Sequence, residues 1–294
     1  MIVSIMTKLY DIFVVFMTQG RLQYRERVNV VMSITMKRYI TSLLLLLCSS
    51  FALATSFEKV VVAVDHAPPY GMVSEDGKVS GAIVDIMREM QRTLPIKLEY
   101  VACPFSRCLK MLEQNELDVM GGLIRTEERE QKMQFLTPPY MMLSSSFVFY
   151  ARADSELKIN NYQDLVGKRI AVMRGAAHFP RFDNDKTLTK VEALSEHNAF
   201  DMLLKSRVEL VIAVETTADH ASVFLQRPSQ DIVKMPYRYK DVIYGHIALS
   251  KHFESSSLAE KIQERLNTLV LNGRLTELVK SYNLPPVTAV AIDK

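Results

Sequence analysis

No tryptophan occurs in the chain, so any aromatic wall has to be built from phenylalanine or tyrosine. The signatures of several common chemistries are also missing. No His/Cys/Asp/Glu cluster has metal-ligand spacing, no Gly-x-Ser-x-Gly nucleophile elbow occurs, and there is no phosphate loop. These absences weigh against a metalloenzyme, a serine hydrolase and a nucleotide-hydrolysing enzyme. Repeats, low-complexity tracts and Gly/Ser linkers are absent too, so neither a solenoid nor a chain of tethered domains is expected. Of the three cysteines, only Cys103 and Cys108 lie outside the first 54 residues.

With 48% apolar residues in 294, the chain can bury one or two real cores, and disorder is excluded. The net charge of +3 is unevenly placed. Residues 1–54 hold six Lys/Arg and two Asp/Glu, a net +4, which leaves −1 for the rest. The remainder therefore gives no electrostatic case for nucleic acid.

Met36-Lys37-Arg38 opens a basic segment, an apolar run from Ile40 to Cys48 follows, and Ala52-Leu53-Ala54 is a small-residue cleavage pattern. Residues 36–54 read as a secretory signal peptide cut after Ala54, with an apolar run too short to anchor. Leu46-Leu47 before Cys48 argues against lipidation. Residues 1–35 precede the basic end at which such a signal should begin, so translation is expected to start at Met36 or Met32. Export would put Cys103 and Cys108 where a bridge can persist. Cys108 equally fits the buried face of a helix as a small apolar residue.

From Glu58 onward strand and helix patterns alternate. Lys59 to Val64 is a β-branched run suited to a strand buried on both faces. Ile83, Ile86, Met87 and Met90 form one helical stripe, and Phe105, Cys108, Leu109 and Leu112 another. Further strands are predicted at Leu98 to Val101, Leu117 to Met120, Phe147 to Ala151, Arg169 to Met173, around Val191, Val208 to Val214, and Ile232 to Met235. Helices are predicted near Tyr162 to Leu165, from Ser195 to Lys205, Thr217 to Leu225, Ser257 to Asn272, and Leu275 to Tyr282. Strands separated by ten-residue helices imply parallel βαβ units, here arranged as two α/β lobes.

The stretch from Asp118 to Tyr140 organises the rest. A short buried strand meets Gly121-Gly122, where backbone must come close to something, and Thr126 can cap the helix that follows. Arg129 then falls in the first turn, where a cation opposes the helix dipole. Either it holds a carboxylate in a planar fork, or it is a surface arginine paired with Glu128 or Glu130.

The pattern Asp-x4-Leu-x-x-Thr-x-x-Arg-x5-Phe-x-x-x-Pro-Tyr, from Asp118 to Tyr140, resembles the central motif of the periplasmic solute-binding proteins of the polar amino-acid type (family 3), which serve ABC uptake systems. The resemblance runs from about Phe57 to Leu284. It implies a two-lobed α/β periplasmic binding fold of type II, each lobe a mostly parallel sheet flanked by helices, with a two-strand hinge. Lobe 1 would take residues 55–145 and 247–294, and lobe 2 residues 146–246. The crossings fall near Leu143 to Val148 and Ile243 to Ala248, and such a hinge lets the lobes close over a ligand.

By the same resemblance Arg129 clamps the ligand's α-carboxylate. Asp65, at the carboxyl end of the first strand, would accept from a ligand amine, and Tyr70 would supply an aromatic wall; a Pro-rich turn with Tyr70 as packing is the plainer reading. Phe105 stands where the family has a cleft aromatic and is equally suited to the core. Arg174 to His178 follows a strand and opens a helix, so its backbone is an expected anion site.

Three positions depart from the family pattern. Ala176 replaces a hydroxyl residue, with His178 as a substitute donor. Val214 replaces an aspartate that receives the ammonium, and Glu215 can substitute only if the strand has ended or is bulged there. Ile124, after Gly122, replaces a small hydroxyl residue. The expectation is a monomeric binder of an amino acid or other small carboxylate, with no cofactor, delivering to an ABC permease in the inner membrane. The alternatives are a dehydratase of cyclic carboxylates on the same fold, using Glu215 or Asp65 as acid or base, and a sensory binder for a membrane receptor.

Overall fold

The structure, a computed structural model, describes residues 58–143, 147–215 and 231–286 together with Met17 and Ala218. The expected upstream segment and signal peptide lie outside the described residues apart from Met17. The helix expected over Thr217 to Leu225 does so apart from Ala218.

Strand β1 (Glu58–Val64) buries Val60, Val62, Ala63 and Val64, as a strand covered on both faces must. A hairpin of β2 (Met72–Val73) and β3 (Val79–Ser80) leads to α1 (Ala82–Gln91), β4 (Ile96–Ala102), α2 (Phe105–Glu113), β5 (Val119–Leu123) and the single turn α3 (Glu127–Glu130). β4 and β5 run parallel to β1 on its two sides, so the strand order reverses beside β1. The two connecting helices consequently cover opposite faces. α1 packs Ile86, Met87 and Met90 on one, while α2 packs Cys108, Leu109 and Leu112 against Met120 and Leu123 on the other. Cys103 and Cys108 form a disulfide at the start of α2, and Cys108 is also fully buried, so both of its sequence readings hold.

After β6 (Met133–Phe135) and β7 (Met141–Leu143) the chain enters a second sheet. It comprises β8 (Phe147–Arg152), β9 (Arg169–Met173), β10 (Thr189–Ala193), β11 (Leu210–Val214) and β12 (Ile232–Tyr239), in the order β10-β9-β11-β8-β12. β9 has parallel partners on both sides, and the order reverses beside it. Between these strands lie a 3-10 turn (Tyr162–Leu165), α4 (Pro180–Asn184) and α5 (Glu196–Leu204), which Ser195 caps through its side chain. α5 packs Ala199, Phe200 and Leu203 on one face, while Phe149, Phe179 and Phe182 join an aromatic cluster on the other.

β13 (Ile243–Ser250) then returns to the first sheet, antiparallel to β5, β6 and β7, and the chain goes on through α6 (Lys251–Glu254), α7 (Ser257–Leu271) and α8 (Arg274–Lys280). Each sheet thus has a parallel centre of three strands with antiparallel strands added where the chain arrives or leaves. The chain passes between the sheets twice, after β7 and after β12, which is the two-strand connection of a two-lobed fold. Among the described residues no helix is long and apolar enough to cross a membrane.

Candidate functional site

Ligands of open α/β sheets sit beyond the carboxyl ends of the strands, at the point where strand order reverses. Both reversal points here open onto one cavity of about 130 Å³. Roughly that volume takes a molecule such as benzene. Asp65, Tyr70, Phe105, Gly122, Ile124 and Arg129 line it from the first sheet, and Ala176, His178 and Val214 from the second.

Arg129 is the most informative of these. The Thr126 hydroxyl accepts the Arg129 backbone N–H at 3.3 Å, which fixes the turn and directs the side chain inward, where it is only 6% exposed. Neither neighbouring acid takes it: Glu128 pairs with Lys132, and Glu130 pairs with Arg125. Arg129 Nη1 donates to the Ile124 carbonyl at 2.7 Å, and Nη2 donates to the Gly175 carbonyl of the second sheet at 2.8 Å. These bonds use fewer donors than a guanidinium carries. Burial pulls the Arg129 pKa down, with Asp183, Glu113 and Glu128 opposing from a distance, yet arginine stays charged in proteins. Among the described residues Arg129 has no carboxylate within ion-pair distance. The surface-arginine reading is thereby removed.

Asp65 lies just past β1, partly covered. Burial pushes its pKa up to about 6, and a bond to its own backbone opposes this. No cation pairs with it among the described residues. Phe105 both lines the cavity and packs against the core under α2, with its ring centroid 5.9 Å from the Arg129 guanidinium carbon. The two glycines have distinct reasons. A Cβ on Gly121 would sit 2.5 Å from Ile83 Cδ1 and 3.0 Å from the Tyr140 hydroxyl, and Gly122 has φ +78°.

The second sheet's side differs from the sequence reading in two respects. The helix expected to open at Arg174 begins only at Pro180 and is five residues long, so the preceding loop is not a helix N-terminus. Within that loop the Ala176 N–H donates to the Met173 carbonyl at 3.0 Å, and the His178 N–H donates to Asp183 Oδ2 at 2.8 Å. Gly175, Ala177 and Phe179 keep backbone donors without a partner among the described residues. His178 Nδ1 also lies 3.0 Å from Asp183 Oδ1, against Phe147 and Phe182, so the fold fixes the ring and occupies that nitrogen. At Asp183 burial acts to raise the pKa, and the bonds and charge of His178 outweigh it, leaving the carboxyl below its usual range.

Glu215 is the second correction. β11 keeps regular register with β8 through Val214 and ends there, yet Glu215 is not part of the cavity wall. Its carboxylate meets Lys234 at 2.9 Å and Arg238 at 3.6 Å on β12, a pairing that spacing along the chain did not reveal.

Several wall residues escaped the sequence reading. Glu196, the first residue of α5, reads from sequence as an ordinary acid complementing a helix dipole, but it lines the cavity from the second sheet. Ile83, Phe147 and Ile212 read as core. Tyr140 closes the quoted motif, but nothing in its spacing separates a wall residue from packing. Among the described residues no group of His, Cys, Asp or Glu side chains is placed to hold a metal.

Comparison with known proteins agrees with this geometry. A profile of the family described as "Bacterial extracellular solute-binding proteins, family 3" matches residues 60–285. The chain is similar to a probable histidine-binding protein of Campylobacter jejuni, 24% identical over 264 residues that cover 85% of this chain and 100% of the relative. It is also similar to the arginine-binding periplasmic protein of Mannheimia haemolytica, 21% identical over 76% of this chain and 91% of the relative. Among solved structures, a mutant of an arginine-binding protein from T. maritima superposes with a TM-score of 0.64 at 27% identity, covering 76% of this chain and 94% of that one.

Proposed function

Because the chain belongs to the bacterial extracellular solute-binding proteins of family 3, we propose that it captures an amino acid between its lobes and delivers it to an ABC permease. The observation that carries this is Arg129, a buried cation with spare donors and, among the described residues, no carboxylate partner, in the wall of a small-molecule cavity. A ligand carboxylate supplies the missing counter-charge through a bidentate fork. The ammonium faces Asp65, whose lack of a cation among the described residues is the complementary deficit.

In this reading lobe 1 comprises residues 55–145 and 247–294, and lobe 2 residues 146–246. The lobes close about the two crossings, and the Arg129 bond to Gly175 belongs to the closed arrangement. The protein works as a monomer in the periplasm after cleavage behind Ala54, and a binding role rather than turnover is supported by the family description and by the names of the relatives. Arginine and histidine are the first ligands to try, since the similar proteins are named for them.

A thermal-shift screen against the twenty standard L-amino acids, dicarboxylates, cyclic carboxylates, polyamines and sugars tests the reading, because a ligand bound only by the folded form raises the melting temperature. At least one amino acid is expected to raise it. A response confined to sugars or polyamines, which lack a carboxylate, would reject the assignment. A shift with a cyclic carboxylate alone, followed by turnover of that compound, would move the protein to the enzyme alternative.

A further inference from the structure

Tyr140 is fully buried, lines the cavity, and carries a hydroxyl with no hydrogen-bond partner among the described residues. That is unusual. A buried tyrosine hydroxyl normally finds a partner, and leaving one unsatisfied carries a desolvation cost. The ring is not loosely placed: the Tyr140 N–H donates to the Gly245 carbonyl of β13 at 3.1 Å, beside the start of β7. The hydroxyl is thereby set against Gly121 and Gly122 of β5, at the point where a side chain on Gly121 would collide with it. Gly121 and the closing tyrosine of the motif therefore serve one arrangement. They bring a polar oxygen to the cavity wall next to the strand that leads to Arg129.

Its electrostatic surroundings indicate which group it meets. Burial raises the hydroxyl's pKa, and the nearby Asp65 carboxylate and Tyr70 hydroxyl raise it further; the Gly122 backbone acts the other way but does not meet hydrogen-bond geometry with it. The oxygen is a neutral phenol at any physiological pH, and Asp65 in the same wall has no cation among the described residues. Asp65 and Tyr140 line the same cavity, so a ligand ammonium, with three N–H donors, has both oxygens as acceptors.

Resting on the amino-acid reading above, we infer that the Tyr140 hydroxyl is a specificity-determining contact that, together with Asp65, receives the ammonium group of the bound amino acid. Lobe 1 then holds both charged ends of the ligand. The ammonium acceptor expected from lobe 2, replaced here by Val214, is supplied instead by Asp65 and this hydroxyl.

The test compares wild type, Tyr140→Phe and Arg129→Ala by calorimetric titration with the twenty L-amino acids, and with the N-acetyl derivative of the tightest binder, which keeps the carboxylate but loses the ammonium. Tyr140→Phe is expected to weaken the amino acid about tenfold or more, in line with a hydrogen bond to a charged group. The derivative should bind it as it binds wild type. The ligand-free melting temperature should be unchanged or raised, because only an unsatisfied hydroxyl is removed. Binding by Tyr140→Phe within twofold of wild type, with Arg129→Ala inactive, overturns this inference and leaves the carboxylate reading standing. A ligand-free melting temperature lowered by several degrees also overturns it, because the hydroxyl then serves the fold. Undiminished binding by Arg129→Ala, or no binding of any amino acid by wild type, overturns the amino-acid reading and this inference with it.

Discussion

The two walls of the cavity are built from the same topological feature, a reversal of strand order beside a central strand, but they carry different chemistry. The wall after β1 and β5 presents Asp65 and Arg129, two opposite charges with no ionic partner among the described residues. Beyond β9 and β11 the wall presents Ala176, Val214, Ile212, Glu196 and the His178 ring, whose Nδ1 is engaged by Asp183. Two opposite charges are thus left without ionic partners among the described residues on one side, while the other is mostly apolar surface and backbone. An uncompensated buried charge is costly, and a protein that carries one beside a cavity has the energetics of a site awaiting its counter-ion. In the proposed reading, lobe 1 fixes the ligand's orientation, and lobe 2 closes over it with apolar surface and backbone.

The largest expected break in this asymmetry is Arg129→Ala. With a charge-assisted hydrogen bond worth roughly 1.5–3 kcal/mol, losing the fork should weaken amino-acid binding at least about tenfold, as read by calorimetry. Arg129→Lys should recover little of it, since an ammonium is not a planar fork.

Asp65→Asn comes next, with about a tenfold loss for the same ligand and a changed pH profile. In wild type, affinity should rise as pH passes upward through about 6, where the Asp65 carboxyl ionises, and level off above. In Asp65→Asn that rise should vanish. The ligand-free protein should respond in the opposite sense. A carboxyl whose pKa is raised by folding contributes stability below its unfolded value, and that contribution is lost as pH climbs through about 6. Asp65→Asn should therefore melt a few degrees higher than wild type at neutral pH, as read by thermal denaturation.

Gly121→Ala sharpens the comparison from the packing side. The added methyl meets Ile83 and the Tyr140 hydroxyl at distances that force a shift. Overpacking of that kind costs about 1–3 kcal/mol, measurable in a denaturant titration. The smallest effect should come from Glu215→Ala. Its pairs with Lys234 and Arg238 are partly exposed, so stability should change by at most about 1 kcal/mol, with amino-acid affinity unchanged within twofold.

Much of this was legible in the sequence, for reasons that differ by element. The strand at β1 announces itself through consecutive β-branched residues, and α1 and α2 through apolar stripes, because each pattern follows from which faces are buried. Thr126 caps α3 as read, since that contact is local. Arg129 could be picked out from its position against the dipole, but not assigned. Its competitors Glu128 and Glu130 are adjacent in sequence, and their capture by Lys132 and Arg125 is a matter of side-chain direction. Glu215 could not be placed because its partners Lys234 and Arg238 stand on β12, on either side of a register shift. The loop after β9 was read as opening a helix, whereas Pro180 at the first helical position starts it later. Tyr140 was invisible as a wall residue, because an orphaned hydroxyl is a property of tertiary packing alone.

The most direct measurement is a cycle between Arg129 and the ligand's carboxylate. Wild type and Arg129→Ala are each titrated with the amino acid found to bind and with its decarboxylated amine. If the guanidinium holds the carboxylate, removing that group should cost wild type at least about tenfold in affinity and cost Arg129→Ala almost nothing further, since the partner is already gone. An equal loss in both proteins would show that the carboxylate is bound elsewhere and would contradict the account.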